Sequence, residues 1–377
     1  MYLPMIDTLI ASVDIEHYDD VIDNLAEKLE RSKSEAKQAL TDNLNKLITL
    51  QIGDMTFQVL PNGKRGYAYI LHNDFYEIDI AQYRNRNVDF YPINIKIKSN
   101  CLWSYGPNGA WNYILHWIQE SIGDIATNKI SRLDLCCHTD QFSLMEEDIT
   151  KFKGRYYTDT IYHFRRKLNA MTFGSSATGK LYCRIYDKHL EVVQKKLKKW
   201  FFDIWKNESM TPEKVWNVEF QISREFLAGH HITTVEDAFQ RLKSLWEHCT
   251  RHWLVKIELD NDNISRCSIN PLWEQIQGVF DEFQSRPLIK REKQLRHDAE
   301  SMIPSTFGNI TTYAAKIGVY DPALVLTSLT RNGEKYLKSK KLDFKKVVSK
   351  KESLLKADRQ KAVVTYKIPT LSKGVIS

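Results

Sequence analysis

Two hydrophobic periods divide this chain. Over residues 17–49, Val21, Ile22, Leu25 and Leu29 recur at helical spacing among Asp19, Asp20 and Glu27. Ser32-Lys-Ser-Glu35 fits a capping box, and Ala36, Leu40, Leu44 and Leu47 follow it. The spacing predicts two helices. From residue 55 the period is two. Met55–Leu60, a Pro61–Gly66 turn and Tyr67–Leu71 predict a hairpin, and 76–80 and 93–98 predict further strands. Ala110–Ile122 carries the helical stripe Trp111, Ile114, Leu115 and Ile118. Beyond it the pattern predicts a strand over Ile130–His138 and a short helix over 143–152. A hairpin is expected from Met171 through a Gly/Ser turn to Tyr186, then a long helix over 188–207 and a strand over Val215–Ser223. Helical spacing dominates 234–254, 271–284 and much of 288–361.

Strands early and helices late predict an α+β protein: an antiparallel-sheet catalytic core with flanking helices, plus a basic helical C-terminal part. The expected divisions are an N-terminal helical segment at 1–50, a catalytic domain at 51–262 and a basic, mainly helical DNA- or partner-binding region at 263–377. Charge supports the last division. Residues 286–377 hold 20 Lys/Arg against 8 Asp/Glu, a net of +12, whereas the first 285 carry −5. A basic C-terminal part suits a polyanion. No apolar run of membrane-spanning length and no secretory leader is evident, so a cytoplasmic protein without membrane contact is expected. The 6 cysteines form no Cys-x-x-Cys pair, so reduced thiols are expected and a zinc site is not.

Three strands carry polar stripes, because residues two apart share a face. Arg132 and Asp134 oppose Leu133 and Leu135. Arg184, Tyr186 and Lys188 oppose Cys183 and Ile185. Asn217, Glu219 and Gln221 oppose Val218, Phe220 and Ile222. A solvated face would explain any one stripe. If the strands are neighbours, however, all three fit transesterification of a phosphodiester by tyrosine. Arg184 and Lys188 would favour the Tyr186 phenolate and bind phosphate. Asp134 and Glu219 offer hard oxygens to Mg²⁺ or Mn²⁺, which would polarise the phosphate.

These blocks, Ser131-Arg-Leu-Asp-Leu, Phe173-Gly-Ser-Ser with Arg184-Ile-Tyr-Asp-Lys-His-Leu-Glu191, and Val215-Trp-Asn-Val-Glu-Phe-Gln-Ile, resemble the replication initiation factor (Rep_trans-type) family. That family comprises rolling-circle plasmid initiators and related relaxases of integrative conjugative elements. The resemblance covers roughly residues 50–260. It implies a metal-dependent endonuclease that nicks one strand at a replication origin, keeps the 5′ phosphate on Tyr186, frees a 3′-OH and later rejoins the strand. It places the acidic positions at Asp134 and Glu219, and puts Asn217 where an arginine is usual. The His-hydrophobic-His pair of broader single-strand nickases is absent. The partners expected are origin DNA, as duplex and as single-stranded nick site, a host helicase and a second copy in a homodimer. A conjugative relaxase and a non-enzymatic DNA-binding regulator on the same fold are the alternatives.

Other residues have two readings. Gly174-Ser-Ser-Ala-Thr-Gly-Lys180 matches Gly-x4-Gly-Lys, but Leu181 replaces the Ser/Thr and a strand follows. A hairpin turn is expected, with Lys180 against a DNA phosphate. His138 and Asp140 extend the Arg132/Asp134 stripe as surface residues or further ligands. Tyr156, Tyr157 and Tyr162, near Arg155, Arg165, Arg166 and Lys167, suit a DNA-facing loop. The Lys195–Lys199 run suits a solvated helix face or the DNA backbone. Lys340-Lys341, Lys345-Lys346 and Lys350-Lys351 suit duplex contact.

Overall fold

Strands dominate the first two thirds of the chain because apolar residues alternate there with polar ones. The computed structural model describes residues 1–42, 46–84, 90–196, 198–283, 285–288 and 303–353. Its strands are β1 (Tyr2–Ile15), β2 (Thr49–Ile52), β3 (Met55–Val59), β4 (Tyr69–His72), β5 (Tyr76–Ile80), β6 (Ile93–Ile97) and β7 (Ile125–Thr139). After them come β8 (Phe152–Gly154), β9 (Asp159–Phe164), β10 (Lys167–Gly174), β11 (Leu181–Asp187), β12 (Trp216–Ser223) and β13 (Leu254–Lys256). Among the described residues one antiparallel sheet runs β2-β3-β4-β5-β6-β1-β7-β12-β11-β10-β9, and β8 pairs with β13 apart from it. The α+β class with a large antiparallel sheet and flanking helices is as expected.

The register follows from burial. Leu133 lies opposite Leu9 and Ile222, Leu135 opposite Ile6 and Phe220, and Val218 opposite Ile185. All are buried in one cluster. Each such side chain contributes about 1.5–3 kcal/mol on burial, and a slip of one residue would expose the whole set. This fixes the polar stripes of β7, β12 and β11 side by side on the other face. Helices α1 (Tyr18–Thr41) and α2 (Ser99–Ser121, kinked at Gly106, φ 70°) pack Tyr18, Ile22, Trp111 and Trp117 into the same core.

Four expectations are corrected. Residues 1–50 are not a separate helical segment: β1 lies in the middle of the sheet, between β6 and β7. Pro4, Asp7 and Asp14 interrupt its pattern, although Ile6, Leu9, Ala11 and Val13 are buried. The two helices over 17–49 are one helix, α1, followed by β2, and Ser32 is buried inside α1 rather than capping. Leu44 lies outside the described residues. The helix over 188–207 is two helices, α3 (Lys188–Lys195) and α4 (Phe201–Asn207), because Lys196 and Lys198 take left-handed φ of 53° and 57°. The short helix near 143–152 is a 3-10 turn over Glu146–Lys151.

After β12, short helices α5 (Arg224–Gly229), α6 (Val235–Phe239), α7 (Leu242–Glu247) and α8 (Pro271–Gly278) complete the first unit, Met1–Arg291. Trp246 of α7 and Trp273 of α8 are fully buried, so the expected boundary at 262 falls too early. The second unit, Glu292–Ser377, holds α9 (Ile303–Ile317), α10 (Pro322–Ser339) and a helix over 344–353. Asp321 caps α10 by accepting from Ala323 N and Leu324 N, and Asn332 of α10 donates to Tyr313 of α9 at 2.8 Å. Residues 289–302 and 354–361 of the expected helical stretch lie outside the described residues. Among the described residues no helix is long and apolar enough to cross a membrane.

Candidate active site

Tyr186 stands at the end of β11, directly opposite Asn217 of β12. Its hydroxyl is the hub of the polar face. It donates to Glu219 Oε2 at 3.0 Å and accepts from Lys188 Nζ at 2.9 Å and Asn217 Nδ2 at 3.0 Å. Arg184 Nη2 donates to both Glu219 oxygens at 3.1 and 3.2 Å, and its guanidinium carbon lies 4.2 Å from the centre of the Tyr186 ring. Two residues along β7 from Arg132, Asp134 receives a fork from it, with Nε and Nη2 at 2.8 and 2.6 Å. The expectation that three neighbouring strands combine their stripes therefore holds.

Lys188 is the first residue of α3, not a strand residue. The Asp187 side chain caps that helix by accepting from Leu190 N at 2.8 Å, and Lys188 N bonds Val215 O at 2.9 Å. These contacts turn the Lys188 side chain back to Tyr186. A second apolar cluster, built from Trp103, Val192, Phe201 and Trp205, covers this end of the face. Lys188 lies 4.9 Å from the centre of the Phe201 ring and is 1% exposed, while its ammonium also meets Glu191 at 2.9 Å.

The charges are opposed rather than idle. Burial pushes the Tyr186 hydroxyl well above the usual phenol range, Glu219 adds to the rise, and Lys188 and Arg184 pull the other way without prevailing. The expected phenolate is therefore not the resting form; Tyr186 rests as a phenol with its proton on the path to Glu219. Burial also lifts Asp134 from 3.8 to about 7, against the Arg132 fork and with help from Glu219 and Asp7.

That shift gives a signed prediction. Between pH 4 and 7 folded Asp134 holds a proton that the unfolded chain has lost, so its contribution to stability falls as pH rises through that window. Asp134→Asn removes the effect. Melting of variant and parent across pH should show the variant gaining relative stability from pH 4 to about 7, by at most about 1.4 kcal/mol per pH unit, and a flat difference above. A difference that is flat throughout would mean Asp134 ionises normally.

The residues as arranged do not fit a divalent ion. Both Asp134 oxygens are held by Arg132, and Glu219 is shared among Arg184, Tyr186 and Asn217. Among the described residues no three His, Cys, Asp or Glu groups come together to hold a metal. Neither proposed further ligand joins them. His138 is buried, stacks on Trp103 at 4.7 Å and accepts from Trp205 Nε1 at 3.2 Å. Asp140 accepts from Thr211 N at 2.9 Å.

Asp7 was not foreseen. A register shift between Ile6 and Thr8 of β1 places it where it acts on Asp134 and Lys188, with one carboxylate oxygen, Oδ1, buried and unpartnered among the described residues. The available signal was an acidic residue inside the apolar run Met5–Val13. Asn217, noted as a missing arginine, instead hydrogen-bonds the nucleophile candidate.

Other expected DNA contacts are dispersed. Lys180 ends the turn between β10 and β11, which is a hairpin and not a phosphate loop, and pairs with Glu225 at 2.5 Å. Arg165 and Arg166 form the exposed tip of the β9–β10 hairpin, both with left-handed φ of 49° and 65°. Tyr162 is exposed on β9, and Tyr156 and Tyr157 line a separate cavity. Lys345, Lys346, Lys350 and Lys351 are exposed on the helix over 344–353 of the second unit.

No family model matches the chain, and no curated protein matches it. Among solved structures, one described as "Structure of Rolling Circle Replication Initiator Protein from Geobacillus stearothermophilus" is similar with a TM-score of 0.45 and 13% identity, over 77% of this chain and 100% of that one. At that level of similarity, a functional reading has to rest on the residues of the site.

Proposed function

We propose that the protein is a DNA-nicking and strand-joining enzyme of the rolling-circle initiator kind, with Tyr186 as its nucleophile. The observation that carries this reading is the Tyr186 hydroxyl held between one carboxylate and two donors, Lys188 and Asn217. In this reading Glu219 accepts the phenol proton as the oxygen attacks phosphorus. The phosphotyrosine O–P bond forms, the bond to the 3′ oxygen breaks, and the proton is passed on to that oxygen. Arg184 and Lys188 meet the charge that builds on the phosphate. Strand joining is the reverse. A plasmid initiator and a conjugative relaxase share this chemistry.

The test is a denaturing gel after incubation with supercoiled DNA carrying the element's origin, read for a covalent protein–DNA band. The Mg²⁺ or Mn²⁺ requirement is tested with Asp134→Asn and Glu219→Gln. If Glu219 is the proton acceptor, Glu219→Gln lowers adduct yield by roughly 10²-fold or more at every metal concentration. Asp134→Asn should have a smaller effect, also independent of metal. Deficits that vanish at high metal concentration would instead make the two carboxylates its ligands.

A further inference from the structure

A cavity of about 640 Å³ opens beside the β10–β11 turn, lined among others by Arg155, Tyr156, Tyr157, Lys180, His248 and Trp253. Its size is that of a small-ligand site, and its walls combine apolar rings with a few convergent polar groups. Tyr156 is fixed by a hydrogen bond from its hydroxyl to Phe152 O at 3.1 Å, and its ring centre lies 6.4 Å from that of Trp253. Tyr157 is 102% exposed at the rim, an aromatic ring with nothing packed on it among the described residues. Two cations, Arg155 and Lys180, and the imidazoles of His230 and His248 stand around these rings. Arg155 forms no ion pair among the described residues, Lys180 pairs only with the exposed Glu225, and His230 lies 5.7 Å from His248. Burial first, then His230, His252 and Arg155, lowers His248 to about 4, so it is a neutral donor and acceptor.

The turn is shaped for close approach. A Cβ on Gly179 would meet Ser175 O at 2.4 Å, and one on Gly174 (φ +82°) would meet Leu181 O at 3.0 Å and the Trp253 ring at 3.3 Å. Ser175 Oγ accepts from Thr178 N at 3.2 Å and from Thr178 Oγ1 at 3.0 Å, which closes the loop on itself. The glycines thus serve a tight hairpin that forms one wall of the cavity, which is why a Gly-x4-Gly-Lys sequence occurs without the helix a phosphate loop needs.

We infer that this cavity binds one nucleotide of a single DNA strand, its base against Tyr156, Tyr157 and Trp253 and its phosphate against Arg155 and Lys180. Aromatic faces beside cations are how single strands are held without sequence readout. The inference rests on the nicking reading for the identity of the polymer. β11 links the two places, since Leu181 at the cavity and Tyr186 are roughly 17 Å apart along it. Leu181 itself points to the core face with Cys183 and Ile185, so a strand reaching both places would have to pass over the β10–β11 turn at the end of the sheet.

The experiment uses the full chain and an oligothymidylate bearing one iodouracil. Photocross-links should map to Tyr156, Tyr157 or Trp253 by mass spectrometry. Arg155→Ala and Tyr157→Ala should each weaken oligothymidylate binding roughly fivefold or more, with melting unchanged because both side chains are exposed. Cross-links mapping elsewhere, or affinity unchanged in both variants, would overturn the inference. So would thymidine monophosphate displacing the oligonucleotide at equal concentration, since the cavity would then serve a free nucleotide. A cross-link at the cavity with no tyrosine adduct on origin DNA would leave the inference standing and remove the nicking reading. An adduct with cross-links elsewhere would do the reverse.

Discussion

Tyr186→Phe should abolish the covalent protein–DNA adduct while leaving DNA binding within about twofold of the parent. The substitution removes one oxygen. That oxygen takes part in hydrogen bonds with Lys188, Asn217 and Glu219, so the loss is local but not silent. Three buried polar groups lose a partner, and each unsatisfied group costs on the order of 1–3 kcal/mol. Some of this is recovered, because Glu219 keeps Arg184 and Asn217, and Lys188 keeps Glu191. The variant should therefore melt lower than the parent yet fold. Ring packing on the Arg184 guanidinium is retained. A denaturing gel with origin DNA reads the chemistry, and melting of the same preparation shows that the protein is folded. An adduct of normal yield in a folded variant would remove Tyr186 as the nucleophile and return attention to Tyr156, Tyr157 and Tyr162.

The site was legible in sequence to the extent that period-two alternation is. Leu133, Leu135, Val218, Phe220 and Ile222 announce the buried face, and once they do, Arg132, Asp134, Asn217 and Glu219 must share the other. Adjacency of the three strands was a condition that only the pairing could meet, because β7 and β12 are separated by β8 to β11. Two features escaped for identifiable reasons. Asp7 depends on a register shift in β1, and local spacing does not reveal a bulge. The buried state of Lys188 depends on α3 and α4, which pattern alone joined into one helix; the break comes from left-handed Lys196 and Lys198, types with no preference for that conformation. Net charge balance was also beyond sequence. Flanking cations suggested a phenolate, but a hydroxyl buried beside Glu219 titrates upward.

A chain ending after Leu288 should keep strand cleavage and lose most of its salt-dependent grip on duplex DNA. The cut belongs there because Ser285 and Arg286 still bond the first unit: Ser244 N donates to Ser285 Oγ at 3.0 Å, and Arg286 N to Gln240 O at 2.6 Å. Phe283 and Leu288 also pack on its core. Ending earlier would strip contacts that hold α7 and α8, and lost cleavage would then report unfolding. The residues before 286 carry a net −5, so in the nicking reading the shortened chain would hold nucleic acid only through local groups such as Arg155, Arg184 and Arg165. In the second unit Lys340, Lys341, Lys345, Lys346, Lys350 and Lys351 are exposed. If all six neutralise phosphates, the slope of log affinity against log salt falls by about 5 on their removal. Raising salt from about 50 to about 200 mM should therefore cost the full chain on the order of 10³-fold more duplex affinity than it costs the shortened one. Duplex binding measured across a salt series for both chains reads this directly, with cleavage of a single-stranded nick-site oligonucleotide as the control for an intact first unit. Equal slopes with cleavage retained would mean that the lysines do not touch DNA. The exposed Phe307, Leu324, Tyr336 and Phe344 of the second unit would then make it the docking surface for a protein partner of the replication machinery.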